Sequence, residues 1–417
     1  MIRFGFACKT IGVPGIVQNA LILSRASEEN LIRVSRQNIH ALMHMLDYCR
    51  TAGISLLRIS SDIIPLGSHP AISFDWKNLL HEELEAVREK LSLSGIRVSM
   101  HPGQYTILNS PREDVVERSV ADLDFHAAFL TAVGAGPEAR IILHLGGAYG
   151  DRESALERLT ENLRLLAPFI RDRLALENDE RIYTIEEVLR VCDEFALPAI
   201  FDVFHHSLNP PATGSQNYWL DRASATWNGS SGRPKIHYSQ QLPGGKPGMH
   251  SQSIGMLDFL DFYRALHDRE LDVMLEVKDK NISAIKCINL TTPGLPRNRL
   301  TEEWARYKYL ILEHSPEEYQ KIRELLKDDN PEAQAFYAHI EASLDQKASP
   351  GNARNAAQHV WGYVDRLASP RENRQVLSDM EKFEDDPAAV GRVKRKLFAL
   401  AEKNGNTYLL NSLYFYF

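Results

Sequence analysis

Short runs of β-branched and other apolar residues recur along the first two thirds of the chain. Residues 2–6, 56–59, 96–100, 140–143, 174–176, 199–201, 235–238 and 273–275 form eight such runs. The segments between them change period. Residues 38–49 place Ile39, Leu42, Met43 and Leu46 at a spacing near 3.6, which gives a helix one buried face. Residues 79–93, 115–133, 154–170, 185–194 and 254–266 follow the same pattern. From the third run onward the strands begin about 25–44 residues apart, the length of a strand-plus-helix unit. Eight strands alternating with helices predict a (β/α)8 TIM barrel. A doubly wound open sheet competes, but no G-x-G-x-x-G follows the first strand.

Two regions depart from this alternation. Residues 208–234 are rich in Pro, Gly, Ser, Asn and Trp and read as a long excursion between the sixth and seventh strands. After about residue 300 the strand pattern stops. Residues 302–326 and 331–344 look helical, with Pro331 suited to a first helical position. A break at 347–352 precedes helical patterns at 355–367 and 388–403. The predicted organisation is a barrel domain over 1–300 and an all-helical domain over 301–417.

Composition narrows the function class. The 417 residues are 44% hydrophobic and 25% charged, an ordinary globular balance. Cys8, Cys49, Cys192 and Cys287 are far apart, which excludes a cysteine zinc ribbon or dithiol motif and fits a reducing cytoplasm. No apolar run approaches the roughly 18 residues of a membrane span, and no signal peptide is expected. A net charge of −7 argues against a basic surface that coats nucleic acid indiscriminately.

The chemistry lies at the strand ends. The third strand closes at His101, the fourth at His144, the fifth at Glu177, the sixth at Asp202 and the eighth at Glu276, while the seventh contains His237. In a barrel these ends converge on one mouth. Three histidines and three carboxylates there form an N/O ligand set for Zn²⁺ or Mn²⁺. His205 and His250 lie just beyond, so the set suffices for two or three divalent ions. Such a cluster activates water and holds both oxygens of an in-line phosphoryl displacement. Lys235 and His237 share a strand face. His205 reaches the mouth only if its strand has ended by Phe204.

The segments LLRISSDIIPLGSH, HPGQY, HLGG, LEND, FDVFHH, KIHYSQ and LEVKDK together resemble the UV-damage DNA endonuclease family, over residues 56 to about 280. The ligand series is more distantly similar to endonuclease IV. The resemblance implies a TIM barrel that nicks the phosphodiester 5′ to cyclobutane pyrimidine dimers and (6-4) photoproducts by metal-activated hydroxide attack. Its cofactor would be a divalent metal cluster, manganese favoured and zinc the alternative. Its substrate would be lesion-bearing double-stranded DNA, and no membrane partner is expected. The chain would act in the cytoplasm as a monomer. It assigns His101, His144 and Glu177 to one metal, with Glu177 bridging to a second held by Asp202, His237 and Glu276. His205 and His250 would hold a third. Gly248 stands where endonuclease IV has a ligating Asp, and Lys235 stands where the family carries a carboxylated lysine.

The same resemblance makes Gln104 and Tyr105 a probe pair pushed into the duplex at the lesion. His69 would face the scissile phosphate as a cation, and Arg58, Ser60 and Ser61 would lie near phosphate, although Arg58 reads equally as a structural ion pair. Phe6 occupies a lesion-pocket position where the family is expected to carry Tyr. The segments WARYKYLILEHSPEEY and HVWGYVDRL resemble a helical bacterial domain of unknown function. Three other readings compete: an apurinic-site endonuclease sharing the metal site, a sugar isomerase or epimerase on a similar barrel, and a non-catalytic damage-binding protein.

Overall fold

The computed structural model describes residues 2–417. Eight strands run β1 (Arg3–Ala7), β2 (Leu56–Ile59), β3 (Arg97–Met100), β4 (Arg140–His144), β5 (Leu174–Glu177), β6 (Ala199–Asp202), β7 (Lys235–Tyr238) and β8 (Asp272–Leu275). All pair in parallel in sequence order, and β8 returns to β1 to close the barrel. The predicted TIM barrel is therefore the fold observed.

Register decides which side chains face inward. Directly paired residues of a parallel sheet point the same way, and successive residues alternate. The pairs Ala7–Arg58, Arg58–Ser99, Ser99–Arg140, His144–Glu177, Glu177–Ile200 and Asp202–His237 therefore place one parity set inside the barrel. At the N-terminal ends of the strands this set forms an ionic layer. Asp272 is fully buried and accepts from Arg3 Nε at 2.7 Å and from Arg97 at 2.8 Å. Ile142, Ala175 and Ile200 make an apolar patch above it. The polar strand ends fill the opposite mouth.

Outward residues pack on amphipathic helices. The helix Glu28–Ala52 begins at Ser27, whose side chain accepts the Asn30 N–H, with Glu28 and Glu29 in its first turn. These features satisfy a free donor and complement the helix dipole. It stops at Gly53, whose φ of 76° is left-handed and suits glycine. Its buried stripe includes Leu31, Val34, Ile39, Leu42 and Leu46. The excursion at 208–234 contains the helix Gln216–Ala225, capped by Ser215. The continuous helix expected at 154–170 ends at Leu165 and resumes only as a turn at Pro168–Arg171.

Contacts divide the chain into two compact units. One comprises Met1–Lys9, Gly15–Ile254 and Ala265–Ile285; the other comprises Thr10–Pro14, Gly255–Arg264 and Lys286–Phe417. The second unit is helical, with a core that includes Leu312, Ala356, Val360, Val393 and Leu397. Its boundaries follow prolines and caps that periodicity alone did not weigh. The expected helix 302–326 is two, Arg297–His314 and Pro316–Leu325, because Ser315 caps the second and Pro316 takes its first turn. Pro331 precedes rather than starts a helix, which begins at Ala333 after Glu332. The expected break at 347–352 instead opens the helix Pro350–Trp361, capped by Ser349. A further helix, Pro370–Glu381, is set by a Ser369–Glu372 capping box where the apolar period alone predicts none. Among the described residues, no helix is long and apolar enough to cross a membrane.

Candidate metal centre at the barrel mouth

Glu177 ends β5 with its carboxylate inside the mouth, 1% exposed. Its Oε2 lies 3.1 Å from His101 Nε2 and 3.6 Å from His144 Nε2. Its Oε1 lies 2.6 Å from His237 Nδ1, which is also 3.1 Å from Glu276 Oε1. The carboxylate thus faces two histidines with one oxygen and a third with the other. Three triads have ligand atoms within 4.8 Å of one another: His101–His144–Glu177, Glu177–His237–Glu276 and Glu177–Asp202–His205. Glu177 belongs to all three.

Local structure aims the remaining ligands. β6 ends at Asp202, and its Oδ1 caps the short helix Val203–Leu208 by accepting the His205 N–H at 2.7 Å. That turn brings His205 back over the mouth, where its Nδ1 lies 3.7 Å from Asp202 Oδ2. His250 follows a loop closed by the antiparallel bridge between Gln241 and His250. His250 Nδ1 donates to the Glu276 carbonyl at 2.6 Å, and its ring stands 5.9 Å from that of His205. His250 is outside the three tight triads.

The electrostatics fit a cation. Burial opposes ionisation of Glu177, but His237, His144 and His101 outweigh it and hold the acid well below its usual range. Asp202 goes the other way: burial, with Glu177 and Glu276 adding repulsion, raises it well above the usual range. Burial opposes charge on His205, yet Asp202 and Glu177 raise it to about 9. Buried His144 Nδ1, Asp202 Oδ2, His237 Nε2 and Lys235 Nζ have no hydrogen-bond partner among the described residues. Of these, Asp202 Oδ2 faces His205 across the site, and such an orphan is costly unless an ion satisfies it, whereas His144 Nδ1 and His237 Nε2 are the ring nitrogens opposite those that face Glu177. The donor set of imidazoles and carboxylates suits Zn²⁺ or Mn²⁺.

The other expected residues fall in three places. Gln104 and Tyr105 are exposed on the loop after β3, Tyr105 at 81%. Tyr105, His69, Ser60, Ser61 and His101 line one cavity of about 980 Å³ beside the ligands. His69 Nδ1 accepts the Ala71 N–H at 3.2 Å, which leaves Nε2 as the ring's donor. Lys235 is inside the barrel, 1% exposed and two residues below His237. Burial, with Arg97 adding to it, pushes its amine well below the usual lysine range. Two expectations are corrected. Phe6 has the opposite parity to the inward set, so it packs outward against the helices with no exposed surface and cannot line a lesion pocket. Arg58 is inward but buried, and its guanidinium is bonded to Glu276 rather than presented to DNA.

The family model described as UV-endonuclease UvdE matches residues 2–296. The chain belongs to the UvdE family. A UV DNA damage endonuclease of Clostridium perfringens is 36% identical over 330 residues, covering 78% of this chain and 80% of its own length. One from Bacillus pumilus is 33% identical, covering 63% and 82% respectively. The crystal structure of SacUVDE matches with a TM-score of 0.66 and 37% identity, covering 70% of this chain and 98% of that one. A second model, described as a protein of unknown function (DUF1722), matches residues 308–417.

Two residues with weak or no sequence signal build this UvdE-family site without reacting. Asn178 follows Glu177, accepts the Asp202 N–H at 2.9 Å and donates to the Asp202 carbonyl at 3.1 Å. Its own carbonyl contacts His205 Nδ1 at 3.1 Å. Asp122 accepts from Ser68 at 2.7 Å and from Thr106 at 2.6 Å, joining the loops that carry His69 and Tyr105. Asn178 sits inside the LEND motif, which was its signal. Asp122 had none, because it lies on an ordinary amphipathic helix.

Proposed function

We propose that this chain is a metal-dependent DNA repair endonuclease that nicks the phosphodiester 5′ to UV photoproducts. The observation that carries the reading is the UvdE-family barrel with a buried His/carboxylate cluster centred on Glu177, opening beside a cavity edged by Tyr105. His101, His144 and Glu177 would hold one divalent ion; Glu177, Asp202, His237 and Glu276 would hold a second; His205 and His250 would hold a third. Bound ions, with Mn²⁺ our assignment, supply an activated water and neutralise charge on the phosphate. The chain's own residues orient that chemistry. Asn178 locks Asp202 and His205, the Glu276 carbonyl fixes the His250 ring, and His69 lines the cavity. Exposed Tyr105 would fill the gap left by a displaced dimer, and Gln104 would bond exposed base edges.

Lys235 extends the ligand set. A neutral amine adds to CO₂, forming an N–C bond and releasing one proton, and the resulting carbamate is an anionic oxygen ligand. The depressed, partnerless amine supports this modification. The reducing cytoplasm is our assignment for its location, supported by four free cysteines.

The test uses duplexes carrying one defined cyclobutane dimer, one (6-4) product or one apurinic site, with chelator and then with added Mn²⁺. Incision 5′ to both photoproducts that chelation stops and Mn²⁺ restores is the expected result. Cutting confined to the apurinic site would replace the reading with an apurinic endonuclease. Full activity without metal would remove the mechanism.

A further inference from the structure

The N-terminal ends of the strands, at the opposite end of the barrel from the metal centre, hold more arginine than paired carboxylate. Arg3, Arg97 and Arg233 line a cavity of about 350 Å³ there, and Glu138 is the one acid in its lining. Arg140, at the start of β4, and Arg173, just before β5, stand close enough to add to the same field. Carboxylates answer only part of this charge. Asp272 is shared between Arg3 at 2.7 Å and Arg97 at 2.8 Å. Exposed Glu270 lies 3.6 Å from Arg233. Among the described residues, neither Arg140 nor Arg173 has a carboxylate within 4 Å. Arg173 bonds instead to the carbonyls of Ala135, Gly136 and Ala139, and Arg140 to that of Asp172.

Arg140 shows what this costs. It is 4% exposed, and its Nε has no hydrogen-bond partner among the described residues. Burial opposes its charge, Arg97 and Arg173 repel it, and the guanidinium is pulled down to about 10. Buried cations that outnumber their counter-charges are costly until an anion joins them. The cavity has room and donors for one. Gly232 has a left-handed φ of 81°, and an added Cβ would meet Glu138 Cβ at 2.8 Å and Arg97 Nη2 at 3.2 Å. Glycine therefore keeps the chain from covering that guanidinium. Arg3 spends Nε and Nη2 on Asp272 and has Nη1 left over. Guanidinium forks match the paired oxygens of a phosphate, which a single halide ion does not offer.

We infer that this cavity binds a phosphate-class oxyanion, free or carried on a small ester, which neutralises the arginine cluster and stabilises the barrel. The site is independent of the metal centre and of the reaction proposed there.

The experiment compares the full-length protein with Arg233→Gln and Ser92→Glu. The first removes a lining cation whose side chain is partly exposed; the second brings a carboxylate to the cavity from an exposed lining residue. Each protein is titrated calorimetrically with inorganic phosphate and with thymidine 5′-monophosphate at fixed ionic strength, and melted in phosphate and in chloride. The parent is expected to bind one phosphate more than either variant. At about ten times its Kd, that phosphate should raise the parent's melting temperature by roughly 3–6 °C over chloride. Each variant should lose about tenfold or more in affinity, the scale of one charge-assisted hydrogen bond, together with most of that rise. A monoester that binds as tightly as phosphate supports the site and makes an ester its ligand; weaker binding supports the site and makes free phosphate its ligand. Phosphate held by ions at the mouth, or acting as a general salt, affects all three proteins alike. Equal stoichiometry and an equal rise in parent and variants would overturn the inference.

Discussion

Asp202→Asn tests whether the mouth is built for cations, and the structure sets the expected size of the effect. Asp202 and Glu177 place ligand oxygens within 4.8 Å of each other, with Asp202 fully buried. Two ionised carboxylates that close repel by at least roughly 3.5 kcal/mol at an effective dielectric near 20. His205, 3.7 Å away, offsets this repulsion on the same scale, so the net cost in the chelated protein is that of burying the charge with its Oδ2 unpartnered, on the order of 1–2 kcal/mol. Asparagine can keep the helix cap that Asp202 Oδ1 makes to the His205 N–H, while removing the charge. Chelated Asp202→Asn should therefore melt higher than the chelated parent, by roughly 2–8 °C. Burial and the neighbouring carboxylates raise the folded acid above its ordinary range. The parent's deficit should thus be absent below about pH 4, the unfolded value, and grow as pH rises toward the folded value.

Metal reverses the ranking. An ion present at a hundred times its Kd stabilises the parent by about 2.7 kcal/mol, or roughly 5–10 °C. Changes outside the ligand shell already weaken metal sites about 10–100-fold, so losing Asp202 should remove about 1.4–2.7 kcal/mol of that gain. Scanning calorimetry of both proteins, with chelator and with Mn²⁺, measures both effects. A variant less stable than the parent when chelated, and stabilised equally by Mn²⁺, would refute the argument.

Glu177→Ala should abolish nicking and bound metal together while far-UV circular dichroism is retained; a variant that keeps its full metal content would remove Glu177 from the centre of the site. Tyr105→Ala should lower affinity for damaged duplex ten- to hundredfold with metal content unchanged, since one stacked base contributes roughly 1–3 kcal/mol. Equal losses on damaged and undamaged duplex would show that it reads no lesion. Asp272→Ala should strand buried Arg97 in the barrel interior and cost about 3–5 kcal/mol in urea unfolding, while Arg3, partly exposed, turns to solvent. Crystals grown at neutral pH should show density joining Lys235 Nζ to a metal; an unmodified amine pointing away from filled sites would exclude the carbamate.

The alternation of short apolar runs and 3.6-period segments determined the barrel, because each strand–helix unit writes its own period locally. The gathering of the candidate ligands was legible for a related reason: a closed parallel barrel delivers every C-terminal strand end to one mouth, so topology brings His101, His144, Glu177, Asp202, His237 and Glu276 together. What required the tertiary structure was register and long-range contact. Phe6 reads as one aromatic near a strand end, and only its pairing with Leu57 shows that it faces the helices. Arg58 reads equally as a cation near phosphate and as a structural ion pair, and only the fold, which brings Glu276, distant in the chain, to its guanidinium, decides for the pair. Asn178 and Asp122 act through hydrogen bonds to residues on other elements, which no local pattern encodes. Helix boundaries in the second unit turned on single caps at Ser315, Ser349 and Ser369, where one side-chain bond to a backbone N–H outweighs the apolar period around it.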